Sequence, residues 1–244
     1  MEYNDFAGKF GAWAELFKPF IVGKEMDKIY AQIKKDAQKE VILPSSDDTF
    51  RVFGQTHPDH IKSIWYLMDP YPRRYRNRIP QATGIAMDCS NSPDDKMQPS
   101  LEVFYDAMEK DLGKKVDRSL SLNYLLSQGV MLTNTDLTVK MNKTASHDKL
   151  WEPFQKYFLE EVMGSRGGIV YVLAGKASHR MDRYIEPKAN HIIKLEHPAA
   201  AHRNHVDWDC KNIFTHINKL LKENNNGQIY WNKTDWESVN NPPF

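Results

Sequence analysis

The sequence predicts an α/β fold, a three-layer sandwich in which a central four-stranded, mostly parallel sheet is flanked by helices. Two observations carry this reading. Four short apolar segments rich in β-branched or aromatic residues, 61–68, 130–133, 168–174 and 191–195, have the length and composition of buried strands. Between them lie amphipathic stretches whose apolar residues return every three or four positions, most clearly at 24–38, 100–112, 149–162 and 208–223. Strands that alternate with helices pair in parallel and bury both faces of the sheet under helices.

Taken in order, the chain up to about residue 60 reads as helices and connections. The first strand runs into Asp69, Pro70, Tyr71 and Pro72, where regular hydrogen bonding must stop. Ser100, with Glu102 and Val103 following, opens the helix at 100–112. The second strand runs into Asn134. Gly164, Gly167 and Gly168 close the helix at 149–162, and the third strand then runs to Gly175. The fourth strand leads to His197-Pro198. A tail at 232–244, containing Asn240, Asn241, Pro242 and Pro243, reads as peripheral, which leaves 1–231 as a single domain.

Composition fits this picture. The 244 residues, 41% of them hydrophobic, suffice for one full core. Residues 1–11 show neither the basic start nor the apolar run of a signal peptide, and no stretch approaches the roughly 18 apolar residues of a membrane span. A soluble, intracellular protein is expected, with no membrane partner. Cys89 and Cys210 are too few for a disulfide framework and lie outside any C-x-x-C spacing, and the sequons at Asn142 and Asn232 carry no meaning in a protein that is not secreted. The formal charge of +1 does not advertise a nucleic-acid binder. Locally, however, Arg73, Arg74, Arg76 and Arg78 crowd one loop with no acid among them, so the loop is either a solvated surface or a phosphate contact.

In parallel sheets, ligands gather outside the carboxyl ends of the strands. That rule singles out Asp69, Asn134, Gly175 and His197, all polar groups able to do chemistry except the glycine. Asp69, followed by Pro70, either caps a turn or serves a site. His197 repeats the design and reads as a structural hydrogen-bonder or a catalytic group. Other chemistries find little support. Gly175-Lys176 is followed by Ala177 and lacks the upstream glycine of a P-loop, and there is no G-x-S-x-G elbow. His57, His60, His197, His202 and His205 lack metal-ligand spacing, so no metal is expected. The zinc-deaminase signature is missing as well.

Met68-Asp69-Pro70-Tyr71-Pro72 resembles the motif G-Q-D-P-Y-H, and Gln128-Gly129-Val130-Met131-Leu132-Thr133-Asn134-Thr135-Asp136-Leu137-Thr138-Val139 resembles Q-G-V-L-L-L-N-T-V-L-T-V, both of family-1 uracil-DNA glycosylases. Gly84-Ile85-Ala86-Met87 is similar to G-L-C-F, Pro99-Ser100-Leu101 to the end of the proline-rich loop, and His197-Pro198-Ala199-Ala200 to the start of H-P-S-P-L-S. Ala201-His202-Arg203 follows where the family has A-H-R, Ile229-Tyr230-Trp231 resembles I-D-W, and Ile42-Leu43-Pro44 with Phe50 resembles the approach to the first strand. The likeness runs in order over roughly residues 13 to 231.

The resemblance implies a monofunctional enzyme, without metal or cofactor, that removes uracil flipped out of DNA. Asp69 would orient the attacking water and stabilise the cationic sugar, and His197 would hydrogen-bond the uracil oxygen where negative charge develops. Asn134 offers both the donor and the acceptor needed to read the Watson-Crick edge of uracil. Tyr71 would exclude the methyl of thymine. Met68 and Met87 would line the base pocket, Met87 standing where the family stacks a phenylalanine. Pro99 and Ser100 would grip the DNA backbone, Arg73 and Arg74 its phosphates, and Ala199, Ala200, His202 and Arg203 would lie against the minor groove.

The departures also carry expectations. Leu67 and Met68 replace the family's glycine and glutamine, Pro72 replaces its histidine, and the 199–203 loop is two residues shorter, without the wedging leucine. The D-P-Y-P and H-P-A-A patterns resemble the poxvirus enzymes, which double as part of a polymerase processivity factor. The expected partners are therefore DNA, single- or double-stranded, with a replication protein or a DNA-mimic inhibitor as further candidates, and the chain is expected to act as a monomer. Two other functions stay open: action on another altered pyrimidine, and a non-catalytic role as a DNA-binding replication factor.

Overall fold

The computed structural model describes residues 3–240. Its strands are β1 (Ile42–Leu43), β2 (Ser63–Leu67), β3 (Val130–Asn134), β4 (Val139–Lys140), β5 (Val170–Ala174) and β6 (His191–Leu195). Its α-helices are α1 (Tyr3–Phe10), α2 (Ala14–Ile21), α3 (Lys24–Ala37), α4 (Arg51–Gly54), α5 (Pro99–Leu112), α6 (Asn123–Leu126), α7 (Glu152–Tyr157), α8 (Lys176–His179), α9 (Pro198–Asn204), α10 (Ile213–Glu223) and α11 (Lys233–Asn240). Strands β3, β2, β5 and β6 form one sheet in that order, every neighbouring pair parallel. β1 and β4 pair antiparallel in a separate ribbon. No helix among the described residues is long and apolar enough to cross a membrane.

Burial explains why the strands were continuous apolar runs. Every residue of β2, β3 and β5 is buried, as parallel strands covered on both faces require. At one edge, β6 buries only Leu195 and exposes Lys194, a charge that discourages pairing with another chain. Neighbouring side chains of β2 define the two outer layers. Trp65 packs on one face against Phe104 of α5, Phe214 of α10 and Trp231, with ring centroids 5.6 to 6.0 Å apart. Tyr66 turns to the other and donates its hydroxyl to Gln155 of α7 at 2.9 Å. On that second face Phe17 of α2 stacks on Phe154 of α7 at 4.9 Å, and Phe10, Trp13 and Phe53 pack around the pair. Each such burial contributes roughly 1.5–3 kcal/mol, which secures the N-terminal helices to the sheet.

Two helices begin later than their periodicity suggests. Lys149 adopts φ +65°, so the helix expected from 149 starts instead at Glu152, with Pro153 in its first turn where a missing amide costs nothing. Its continuation, Phe158–Val162, is π-helical, and the Met163 amide donates to Phe158 O at 2.9 Å. The helix expected from 208 starts at Ile213. Lys211 and Asn212 are left-handed, and the free amides of Phe214 and Thr215 are capped by the Asp111 carboxylate at 2.8 and 3.1 Å, from a helix a hundred residues earlier. Trp208 is fixed outside the helix by its indole, which donates to Glu196 O at 2.8 Å. In the tail, Asn232 is buried and accepts from the Asp117 amide at 2.9 Å, and Asp235 of α11 pairs with Lys114 at 2.5 Å. Residues 241–244 lie outside the described residues.

Candidate active site

The carboxyl ends of the four parallel strands open into one cavity of about 320 Å3. Hydrogen bonding between β2 and β3 runs past their formal ends. The Thr135 amide donates to Leu67 O at 2.9 Å, and the Thr135 hydroxyl and Asp136 amide both donate to Met68 O, at 2.6 and 3.1 Å. Asp69 and Asn134 therefore emerge from the ends of adjacent strands, Asn134 in register with Leu67 two residues before Asp69, and Pro70 and Pro72 turn the chain away. Asp69 Oδ2 accepts from the Ala145 amide at 2.7 Å. Burial raises the Asp69 carboxyl above its ordinary value, and the Ala145 amide and its own backbone amide pull it partly back.

Asn134 is 8% exposed, and among the described residues its side-chain amide has no hydrogen-bond partner, leaving a donor and an acceptor free on the cavity wall. Its carbonyl is held by Gln155 Nε2 at 3.0 Å. Tyr71 is fixed at its far end. Its hydroxyl donates to Met87 O at 3.2 Å and meets Ser100 Oγ at 2.7 Å; with the tyrosine proton on Met87, Ser100 supplies the second bond. Met87, buried and left-handed at φ +65°, turns its carbonyl toward Tyr71 through this bend.

His197 is the N-cap of α9. Its Nδ1 accepts from the Ala199 amide at 3.1 Å, so Nδ1 carries no proton and the neutral ring holds its hydrogen on Nε2. Burial lowers its pKa to about 4, the Arg203 charge being the lesser cause. Gly175, at φ +101°, makes room for this ring: a Cβ there would lie 3.0 Å from His197 Cβ and 3.4 Å from Cδ2. Gly175→Ala is thus expected to displace the imidazole, lowering kcat by about 10- to 100-fold and stability by about 1–3 kcal/mol, read from steady-state kinetics and thermal unfolding.

The cavity brings together most of the residues singled out from sequence. Met68, Asp69, Tyr71, Met87, Asn134 and His197 line it, and Ser100, Ala199 and Arg203 join them. Ser100 is 5% exposed and its hydroxyl is engaged by Tyr71. Pro99, Ala200, His202, Arg73 and Arg74 lie outside the cavity. Pro99 starts α5, and Ala200 and His202 sit on α9. Arg73 and Arg74 are exposed on a turn closed by the Gln81 amide on Arg73 O and the Tyr75 amide on Ile79 O, both at 2.9 Å. Sequence reasoning missed Ala145, whose contribution is a backbone amide, and set Gly175 aside for having no side chain. The strand-end rule had nevertheless marked the Gly175 position.

Known proteins are similar to this chain along most of its length. The family model described as the uracil DNA glycosylase superfamily matches residues 89–222. A uracil-DNA glycosylase from Flavobacterium johnsoniae is 28% identical over 221 residues, covering 88% of this chain and 96% of that protein. One from Aeromonas hydrophila is 30% identical over 221 residues, covering 86% and 95%. Among solved structures, mimivirus uracil-DNA glycosylase superposes with a TM-score of 0.82 at 20% sequence identity, covering 95% of this chain and 89% of that one, a likeness of fold. With more than half of the chain matched by the family model, this chain belongs to the uracil DNA glycosylase superfamily.

Proposed function

We propose that this chain hydrolyses the N-glycosidic bond of uracil flipped out of DNA, leaving an abasic site, as a step of base excision repair. The observation that carries the reading is the meeting of Asp69, Tyr71, Asn134 and His197 in one cavity. Breaking the bond sends its electron pair to the base and leaves positive charge on the sugar. Asp69, ionised, stabilises that cation and orients the water whose oxygen bonds to the sugar carbon as its proton departs toward the carboxylate. His197, neutral with its hydrogen on Nε2, donates to the uracil oxygen that gains charge, and Asn134 takes the remaining edge of the base. Met68 and Met87 supply the apolar wall. Incubating the chain with a uracil-containing oligonucleotide tests this: free uracil and an alkali-labile strand are expected, and an intact strand would refute it.

Tyr71 sets the size limit of the pocket. Its hydroxyl is bonded at two points, so its ring cannot swing away to admit a methyl group on the base. Tyr71→Ala is expected to give measurable thymine release where the unaltered chain gives none, while slowing uracil release, read from a panel of uracil, thymine and modified cytosines. Release of modified cytosines by the unaltered chain would favour the other-pyrimidine reading instead.

Around the cavity mouth, Arg73, Arg74, Pro99, Ala200 and His202, with Ser100, Ala199 and Arg203 from the cavity wall, are assigned to the DNA backbone and minor groove, and the exposed arginines supply the charge that a phosphate track requires. A DNA-mimic inhibitor would compete for this mouth; a mimivirus chain of the same fold was solved in complex with UGI. The poxvirus-like D-P-Y-P and H-P-A-A stretches motivate an accessory replication role alongside catalysis.

A further inference from the structure

The amide that holds Asp69 comes from a strained loop. Ala145 is left-handed at φ +55°, and Asn142 and Lys149, at φ +62° and +65°, bracket the same segment. Residues other than glycine keep such conformations only where their surroundings over-determine them. Part of that hold is local: the Lys140 amide donates to Ser146 Oγ at 2.7 Å, and Thr138 Oγ1 meets His147 Nδ1 at 2.7 Å. The next residue, Asp148, is held from across the fold. Arg180, in the turn after α8, donates through one terminal nitrogen to Asp148 Oδ1 at 2.5 Å and through the other to Asp136 Oδ2 at 3.1 Å. Asp136 lies two residues beyond Asn134, is 3% exposed, and accepts from the Trp151 amide with its other oxygen at 3.4 Å.

We propose that Arg180 is a positioning residue for glycosidic hydrolysis: by spanning Asp136 and Asp148 it holds the 141–149 loop so that the Ala145 amide stays on Asp69. The inference rests on the glycosylase reading above. Arg180 lines no part of the cavity and touches no substrate, so its effect passes through the loop. The planar fork of arginine suits it to two carboxylates on different segments; a lysine ammonium keeps the charge but loses that fixed geometry. Asp136 is the stationary end of the span, because it sits on the segment hydrogen-bonded to Met68, directly before Asp69.

The test uses Arg180→Lys and Asp148→Ala in the full chain, with kcat, KM and the pH profile measured on a uracil-containing oligonucleotide. Each variant is expected to lower kcat fivefold or more with KM within twofold, and the double variant to be no worse than the poorer single. The acid limb of kcat/KM is expected to move to higher pH, because losing the Ala145 amide removes a group that holds the Asp69 carboxyl down. The charged and titratable groups on the elements packed against Asp69 are Asp136, which burial raises to about 7, Arg180 paired to it and Asp148 paired to Arg180, Lys143 and His147 on the loop itself, and Lys176, His197 and Arg203 on the cavity wall. Deleting the Asp148 charge alone would move the limb the other way, and Arg180→Lys leaves the total charge unchanged; an upward shift in Arg180→Lys that persists in an Asp136→Asn background, where the acceptor oxygen remains, reports geometry and not the titration of Asp136, which burial raises to about 7 and Arg180 lowers. Asp148 is nearly half exposed, which keeps Asp148→Ala informative even if Arg180→Lys fails to fold. Unchanged kcat in Asp148→Ala, or a lowered kcat with an unmoved limb in Arg180→Lys, overturns the proposal. If the unaltered chain releases no uracil, the glycosylase reading falls first. If it releases uracil and the variants match it, only the positioning role falls.

Discussion

Asp69→Asn is expected to lower kcat for uracil release by about a thousandfold while thermal stability holds or rises. The first half follows from charge. Asparagine has nearly the same shape and keeps an oxygen to accept the Ala145 amide that Asp69 Oδ2 accepts at 2.7 Å, so the loop stays in place. What disappears, on the mechanism proposed above, is the negative charge that stabilises the sugar cation and the group that can take the proton of the attacking water. Affinity for uracil-containing DNA is expected to change by less than about twofold, because uniform binding and transition-state binding separate here. The second half follows from burial. Since burial raises the carboxyl of Asp69, keeping it ionised at neutral pH costs the folded state free energy that the unfolded chain does not lose. Removing the charge recovers that cost, the usual trade between an active site and stability. Single-turnover release, DNA binding and thermal unfolding on the same preparations check all three. A variant that retained activity would take Asp69 out of the mechanism, and one that lost stability would contradict the account of its burial.

The sequence revealed the parts of this molecule whose signals are local. β2, β3 and β5 were legible because strands buried on both faces must be apolar at every position. Asp69, Asn134 and His197 were legible because parallel strands deliver their ends to one edge and two of these ends are stopped by proline. What escaped is what distant residues supply. The start of α10 could not be read, because its cap is Asp111 on another helix. The start of α7 was misread because Lys149 takes a left-handed conformation with no glycine to announce it. The grip on Asp69 was invisible for a deeper reason: an amide hydrogen bond has no side-chain signature, so nothing about an alanine at 145 indicates that its backbone serves a carboxylate. Gly175 shows the converse, a residue whose role is to leave space for His197.

His197→Asn is expected to lower kcat by about 100- to 1,000-fold, the effect of deleting one donor aimed at developing negative charge. Asparagine is the informative substitution because its side-chain oxygen can still accept the Ala199 amide and cap α9, whereas His197→Ala would also lose the cap, at a cost of about 1 kcal/mol. The pH dependence is expected to separate the two proposed catalytic groups. With its pKa lowered to about 4, His197 stays neutral across the physiological range and does not set the acid limb at the ordinary histidine value. On the proposed mechanism that limb is assigned to Asp69, whose raised pKa puts it above the ordinary carboxylate value. In Asp69→Asn the residual activity should therefore lose this limb and fall only near pH 4, where His197 takes a proton on Nδ1 and releases the Ala199 amide. The same shift enters stability with a definite sign. Above the ordinary value of 6.5 both folded and unfolded chains hold a neutral imidazole. As pH falls below 6.5 the unfolded chain binds the proton first, and the loss, roughly 3 kcal/mol in all, is complete once pH passes below the folded value of about 4. His197→Asn should remove this part of the acid sensitivity. On acidification from pH 6.5 to about 4 the unaltered chain should thus lose roughly 3 kcal/mol more than His197→Asn, and curves that stay parallel would contradict the buried, neutral imidazole on which the proposed mechanism depends.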